Sequence, residues 1–147
     1  MKQFKIEGLR DLEAALADLP RSTGRGVLRR VLKKAGEPIA SAAEASAPRN
    51  TGALSREITV ASRLTRRQAG MQRGLGKSEM EMHIGVRRPA GMMNEYGIGQ
   101  RAQPFMRPAW DGGKDGALRS IGTDLGTEVE KAAARAARKA ARLAKKG

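Results

Sequence analysis

The stretch AQPFMRPAWDGG, residues 102–113, sets the direction in which the last helix of this chain begins. The chain has only four aromatic residues, and two of them, Phe105 and Trp110, fall here beside Pro104 and Pro108. Proline fixes φ and stiffens the backbone, whereas large aromatic side chains anchor a segment by burying apolar area. We therefore predict a rigid elbow with two aromatic anchors, packed against a sheet or a neighbouring subunit. Ordinary core positions are the alternative for both aromatic residues.

A long amphipathic helix is predicted after the elbow, with Asp111 or Asp115 as its cap. Its apolar residues recur at steps of three and four, which is the helical period. They are Leu118, Ile121, Leu125, Val129, Ala132, Ala136, Ala140 and Leu143. Residues 131–147 hold seven Lys or Arg and no acidic residue, so we expect a basic, alanine-rich helical extension there.

Two further helices are predicted in the first third of the chain. Leucines at helical spacing mark the first helix, which should end at Pro20. Ser22 or Thr23 is the expected cap of the second helix. Pro38 should kink or restart that helix, and Pro48 should end it, because the residue before a proline disfavours helical geometry.

Strand patterns occur at the N-terminus and in the middle of the chain. QFKIEG, residues 3–8, alternates like a short strand, and Thr51 with Gly52 forms a turn before a second strand. The apolar residues of that second strand share one parity and are Leu54, Ile58 and Val60. MEMHIGV, residues 80–86, shows the clearest alternation. Residues 63–78 between these strands are expected to form a mobile basic loop.

The predicted fold class is α+β, as one domain over residues 1–147. A small antiparallel sheet with a long basic loop should pack against two or three amphipathic helices, including the long C-terminal one. Leu, Ile, Val and Phe together number only 25 of 147 residues, so the core is thin and oligomerisation is expected. With no cysteine and no apolar run of membrane-spanning length, we expect a soluble protein made in a reducing cytoplasm.

The formal net charge of +14 predicts contact with something acidic, either nucleic acid, an anionic membrane surface or an acidic protein. The candidate contacts in the loop are Arg63, Arg66, Arg67, Arg73 and Lys77. A solvated charged face is the alternative for this cluster. Aromatic residues that would stack on bases are missing from the basic regions, so nucleic-acid binding would be non-specific and salt-sensitive.

No catalytic, metal or cofactor site is predicted. The only histidine, His83, lies on the polar side of a predicted strand, and a lone histidine is far more often structural than catalytic. GLGKS, residues 74–78, is like the end of a phosphate-binding loop, but Gln72 occupies the position of the first glycine and a strand pattern follows. We therefore expect no enzyme, no small-molecule substrate and no membrane partner.

Two motifs together resemble a known protein family. APRNTGALSREI, residues 47–58, follows a basic helix, and NEYGIG, residues 94–99, precedes the elbow. This order resembles the neck, or tail-completion, proteins of long-tailed, lambda-like bacteriophages. The residues that match the family pattern are Pro48, Thr51, Gly52, Leu54, Glu95, Tyr96, Gly97, Pro104, Phe105, Arg107, Pro108 and Ala109.

The resemblance implies a structural virion protein at the head–tail junction, assembled in the host cytoplasm. It implies a homo-oligomeric ring that joins the tail to the DNA-filled head, beside head-closure or connector, tail-terminator and tail-tube proteins, with DNA passing through the lumen. Arg107 is expected to pair with Glu95 or with an adjacent chain. Because a passage that must release DNA should not bind it tightly, we expect the basic segments to face neighbouring proteins or the exterior. A small, non-specific nucleic-acid-binding protein is the alternative function.

Overall fold

The computed structural model of the chain describes residues 9–71 and 80–146, and the α+β class predicted from the sequence is confirmed. The strand predicted at residues 3–8 lies outside the described residues, as do Arg73 and Lys77. The elements are, in chain order, α1 (Leu9–Ala17), α2 (Arg21–Ser46), α3 (Ala53–Arg56), β1 (Thr59–Ala61), α4 (Arg66–Met71), β2 (His83–Gly85), α5 (Pro89–Tyr96) and α6 (Met106–Ala144).

The fold is organised around α2 and α6, which pack against each other in antiparallel directions. Lys34 of α2 pairs with Asp124 of α6 at 3.0 Å, and one turn earlier in α2, Arg30 pairs with Glu128 at 2.9 Å. Exposed ion pairs of this kind add little stability. The apolar residues between the helices therefore provide most of the stability of this packing. One core cluster joins the first half of α2 to the middle of α6, with α1 packed over it; its buried residues are Leu19, Val27, Val31, Leu125, Val129 and Ala132.

A second core cluster joins the end of α2 to the start of α6. Its buried residues are Ile39, Ala43, Ala47, Leu54, Phe105 and Ala109. The helices approach closely here, because a Cβ added to Gly113 would lie 2.5 Å from Cγ1 of Ile39. A glycine at this position therefore lets the elbow and the end of α2 share one core.

The sheet consists of β1 and β2, paired antiparallel with Val60 opposite Ile84. It is shorter than predicted, because the expected strand over residues 54–60 begins with the single helical turn α3. That turn directs Leu54 into the second core cluster, where it is buried. Since β1 spans only three residues, the residues before His83 have no strand to pair with, and the predicted strand over residues 80–86 is confined to β2.

The start of α2 differs from the sequence-based expectation of a Ser22 or Thr23 cap, and the helix does not restart at Pro38. The helix begins at Arg21 directly after Pro20, without a side-chain cap, and it runs through Pro38. Pro38 lies on the exposed face, where water can satisfy the carbonyl that loses its partner. The helix does end before Pro48, at Ser46.

The segment predicted as a basic loop, residues 63–78, contains the short helix α4. Its first turn is closed by a reciprocal capping pair. The backbone N–H of Thr65 donates to Oε1 of Gln68 at 3.1 Å, and the N–H of Gln68 donates to Oγ1 of Thr65 at 3.4 Å. This local pair is why part of the segment is helical.

Candidate functional site

The joint between α5 and α6 begins with a sharp reversal at Gly97. This residue has φ of 72°, in the left-handed region, and its N–H donates to the carbonyl of Met93 at 2.9 Å. A Cβ at this position would lie 2.8 Å from the backbone nitrogen of Ala102. Only glycine fits both demands, and the reversal brings the end of α5 against the start of α6.

Glu95 caps the N-terminus of α6 with its carboxylate. Oε2 accepts the backbone N–H groups of Phe105 at 2.8 Å and Met106 at 2.9 Å, and Oε1 accepts the N–H of Arg107 at 2.9 Å. Three donors that have no partner within the helix are thereby satisfied by one buried side chain. The negative charge also lies at the positive end of the helix dipole. We call this arrangement the capped elbow.

The cap predicted for α6 was therefore wrong. Asp111 and Asp115 lie inside the helix, which begins at Met106, and neither caps its start. The cap comes from Glu95, which is ten residues from Phe105 in the sequence. Local spacing rules examine only the residues next to a helix start, so they do not detect such a partner.

Arg107 reinforces the capped elbow from the solvent side. Its Nε donates to Oε1 of Glu95 at 2.9 Å, and its Nη2 donates to the backbone carbonyl of the same residue at 2.8 Å. Arg107 was expected to pair either with Glu95 or with an adjacent chain, and the structure contains the pair with Glu95. The guanidinium also lies 5.0 Å from the centre of the Tyr96 ring, within range of a cation–π contact.

The pKa of Glu95 reflects competing effects at this site. Burial by itself would raise the pKa, but hydrogen bonds from the N–H groups of Phe105, Met106 and Arg107, and from the Arg107 side chain, lower it to about 2. The carboxylate is therefore ionised at every physiological pH.

The two aromatic residues of the elbow face different environments. Phe105 is completely buried in the second core cluster, whereas Trp110 is 53% exposed. Trp110 borders a groove of about 500 Å³, lined chiefly by apolar residues of α2, α6 and the segment around the sheet. Pro108 lies in the first turn of α6, where a missing N–H is tolerated, and Pro104 immediately precedes Phe105. Phe105 is thus a core residue and Trp110 a surface one.

The two motif regions of the sequence meet in the second core cluster. Ala47 and Leu54, from the first motif, pack with Phe105 and Ala109 of the elbow. Gly52 supplies the turn between them with φ of 68°. Oγ1 of Thr51 accepts the N–H of Ala53 at 3.4 Å, and Pro48 is half-buried beside them.

Several exposed apolar side chains belong to α5, to the turn after it and to the first third of α6, and only some of them were expected from the sequence. Along with Trp110, they are Met92, Met93, Tyr96, Ile98 and Leu118. Met92, Met93 and Ile98 were not expected from the sequence. Met92 and Met93 lie just before Glu95, Tyr96 and Gly97, which match the family pattern, and this position is a weak signal in the sequence. We call this set the apolar elbow face.

The basic loop residues lie elsewhere. Arg63, Arg66 and Arg67 are exposed, and Arg63 borders a shallow cleft with His83 and Arg87 beside the sheet. Within residues 9–71 and 80–146, no group of three or more His, Cys, Asp or Glu side chains could hold a metal ion. None of the helices in the described part of the chain is both long and apolar enough to cross a membrane.

These features define a small α+β protein with a capped joint between α5 and α6 and several exposed apolar side chains. The chain belongs to the HK97-gp10-like family, described as "Bacteriophage HK97-gp10, putative tail-component", whose sequence profile matches residues 10–97. It is therefore a bacteriophage tail component and a virion protein that interacts with other virion proteins. Searches of curated proteins and of solved structures found no match.

Proposed function

We propose that this tail component is a neck, or tail-completion, protein that joins the tail to the DNA-filled head as a homo-oligomeric ring. Its neighbours would be head-closure or connector, tail-terminator and tail-tube proteins, with DNA passing through the lumen. The order of motifs from residue 47 to residue 111 supports this reading, and membership of a tail-component family agrees with it. The proposed role is structural and requires no catalysis.

The observation that carries the proposal is the apolar elbow face. Tyr96 is 62% exposed and Trp110 is 53% exposed, yet both are held beside a joint that the Glu95 carboxylate fixes. Exposed aromatic residues on a rigid support are typical of the centre of a protein interface, because little conformational entropy is lost when they are buried. A surface of this kind is expected in a protein that functions within an assembly.

The occupant of this face is proposed to be a second copy of the chain. The groove beside Trp110 has Glu81 and Asp115 in its lining with Lys114, and the smaller pocket next to it has Asp111 with Arg107. In a chain of net charge +14, a groove with acidic and basic residues in similar number would repel a neighbouring basic copy less than the rest of the surface does. A contact between two different surfaces of identical chains generates a closed ring when the rotation closes.

The proposal is tested by a cryo-electron microscopy map of the virion neck together with native mass spectrometry of the purified chain. We expect density for α2 and α6 at the head–tail junction, repeated with six- or twelvefold symmetry, and a matching oligomer in solution or after assembly. Density for this chain elsewhere in the tail, or particles that join heads to tails normally without it, would refute the junction role.

A further inference from the structure

The antiparallel packing of α2 and α6 brings two separate basic segments to the same end of the molecule. Residues 21–34 contain six Lys or Arg and no acidic residue, and residues 131–146 contain seven and no acidic residue. The first turn of α2 faces the last third of α6, because Ser22, Thr23, Arg135 and Lys139 line one cleft of about 420 Å³. We call this region, formed by residues 21–34 and 131–146, the basic end.

Most charges of the basic end are available to a partner. Arg25, Arg29 and Lys33 are exposed on the face of α2 opposite its buried residues, and within the described residues they form no ion pair. On α6, Arg142 and Lys145 likewise have no acidic partner in the described part of the chain. The ion pairs between the two helices involve Arg30 and Lys34 and leave these five side chains free.

Five basic residues in the last part of α6 and at its C-terminal cap form one stripe. Lys131, Arg135, Arg138, Arg142 and Lys145 follow one another at steps of four and three, so they lie along one side of the helix. From residue 131 to residue 145 the stripe covers fourteen helical steps, about 21 Å at the helical rise per residue. Ala132 is the last buried residue of α6, and from residue 133 to residue 146 the helix is exposed. The stripe is therefore extended and accessible.

The chemistry of the basic end favours nucleic acid over an acidic protein. Protein interfaces depend on buried apolar and aromatic anchors, whereas interfaces with nucleic acid are polar and strongly basic. Leu143 is the one large exposed hydrophobic residue among those described at the basic end, and the other exposed apolar side chains are concentrated on the apolar elbow face. None of the described aromatic residues lies at the basic end, so stacking on bases is not available.

We propose that the basic end binds the phosphate backbone of double-stranded DNA without sequence selectivity. Such binding depends on the release of counterions rather than on fixed contacts to bases, so it allows DNA to slide along the protein. A basic surface is therefore compatible with DNA that must move past it, contrary to the expectation drawn from the sequence. The proposal does not depend on the ring or on the position of the chain in the virion.

The test compares two variants of the full-length chain that lose the same charge in different places. The basic-end variant carries Arg25→Gln, Arg29→Gln, Lys33→Gln, Arg142→Gln and Lys145→Gln. The control variant carries Arg63→Gln, Arg66→Gln, Arg67→Gln, Arg87→Gln and Arg101→Gln. All ten positions are exposed, so neither set removes a core contact, and circular dichroism checks that both variants remain helical.

Binding is measured by fluorescence anisotropy with a labelled DNA duplex, at salt concentrations from about 50 to about 200 mM. We expect the wild type and the control variant to bind with a steep dependence on salt. The basic-end variant should bind at least about tenfold more weakly, and its slope of log K against log salt should be shallower by about four, because five phosphate contacts are lost.

Two results would overturn the proposal. If the wild type does not bind DNA at about 50 mM salt, the basic end does not bind DNA, and an acidic protein becomes the expected partner. An equal or greater loss in the control variant would place DNA contact on the side of the sheet, or show that only net charge matters.

Discussion

Replacing Glu95 with glutamine tests whether one side chain holds the start of α6. In the native protein, the two carboxylate oxygens accept three backbone N–H groups and Nε of Arg107. Glutamine keeps one of these oxygens and replaces the other with an NH₂ group, which faces donors instead of accepting from them. Glu95→Gln therefore removes the charge and leaves buried N–H groups of the first turn without an acceptor.

The magnitude follows from the pKa of Glu95. Folding lowers this pKa from 4.5 to about 2, and each unit corresponds to about 1.36 kcal/mol. The ionised carboxylate thus contributes about 3 kcal/mol to the free energy of unfolding at neutral pH. Because the pKa is lower in the folded state, this contribution is present above about pH 4.5 and is lost as the pH falls towards 2. At about pH 3, about half of it should remain.

The assay is urea unfolding followed by far-ultraviolet circular dichroism, at several pH values between about 7 and about 3. We expect Glu95→Gln to be less stable than the wild type by about 3 kcal/mol at pH 7, with the difference shrinking in acid. Glu44→Gln is the control, because Glu44 is exposed on α2 and lies outside the joint. A difference that is independent of pH, or a variant within about 0.5 kcal/mol of the wild type at pH 7, would refute the role of Glu95 as an ionised cap.

Other substitutions test the helix contact and the two aromatic residues. Gly113→Ala should destabilise the chain by about 1–3 kcal/mol, because the new methyl group would clash with Ile39. Gly112→Ala should instead stabilise α6 by up to about 1 kcal/mol, because no atom lies near its added Cβ. Equal effects of the two changes in thermal melts would contradict the close approach. Phe105→Ala should lower the free energy of unfolding by about 3–5 kcal/mol because it empties a buried position. Trp110→Ala should change monomer stability much less but weaken self-association in analytical ultracentrifugation; a variant that associates normally would argue against the apolar elbow face as an interface.

The capped elbow could be predicted from the sequence only in part. Two prolines and two of the only four aromatic residues in the chain predict a stiff joint, and Phe105 is buried at that joint. Sequence spacing could not assign different environments to Phe105 and Trp110, because their directions depend on the non-helical backbone at Phe105. It also could not identify Glu95 as the cap of α6, since the left-handed turn at Gly97 brings that carboxylate to the helix.

The lengths of the strands also could not be predicted from the local sequence pattern, because each length depends on the partner strand. MEMHIGV alternates as a strand should, yet pairing is confined to His83–Gly85, because the opposite segment offers only Thr59–Ala61. A strand needs a partner along its whole length to satisfy its backbone groups, and alternation in one segment carries no information about the extent of the other.

The sequence by itself determined the helical periodicities, the α+β class and the clusters of positive charge at residues 63–78 and 131–147, because each depends on residues close together in the chain. Only the tertiary structure decided that residues 21–34 and 131–146 lie at one end, and that the residues of the apolar elbow face are exposed. The physical reason is the antiparallel packing of α2 on α6, which brings together side chains about one hundred residues apart. Charge and apolar area are properties of composition, but the separation of this protein into a basic end and an apolar elbow face is a property of its packing.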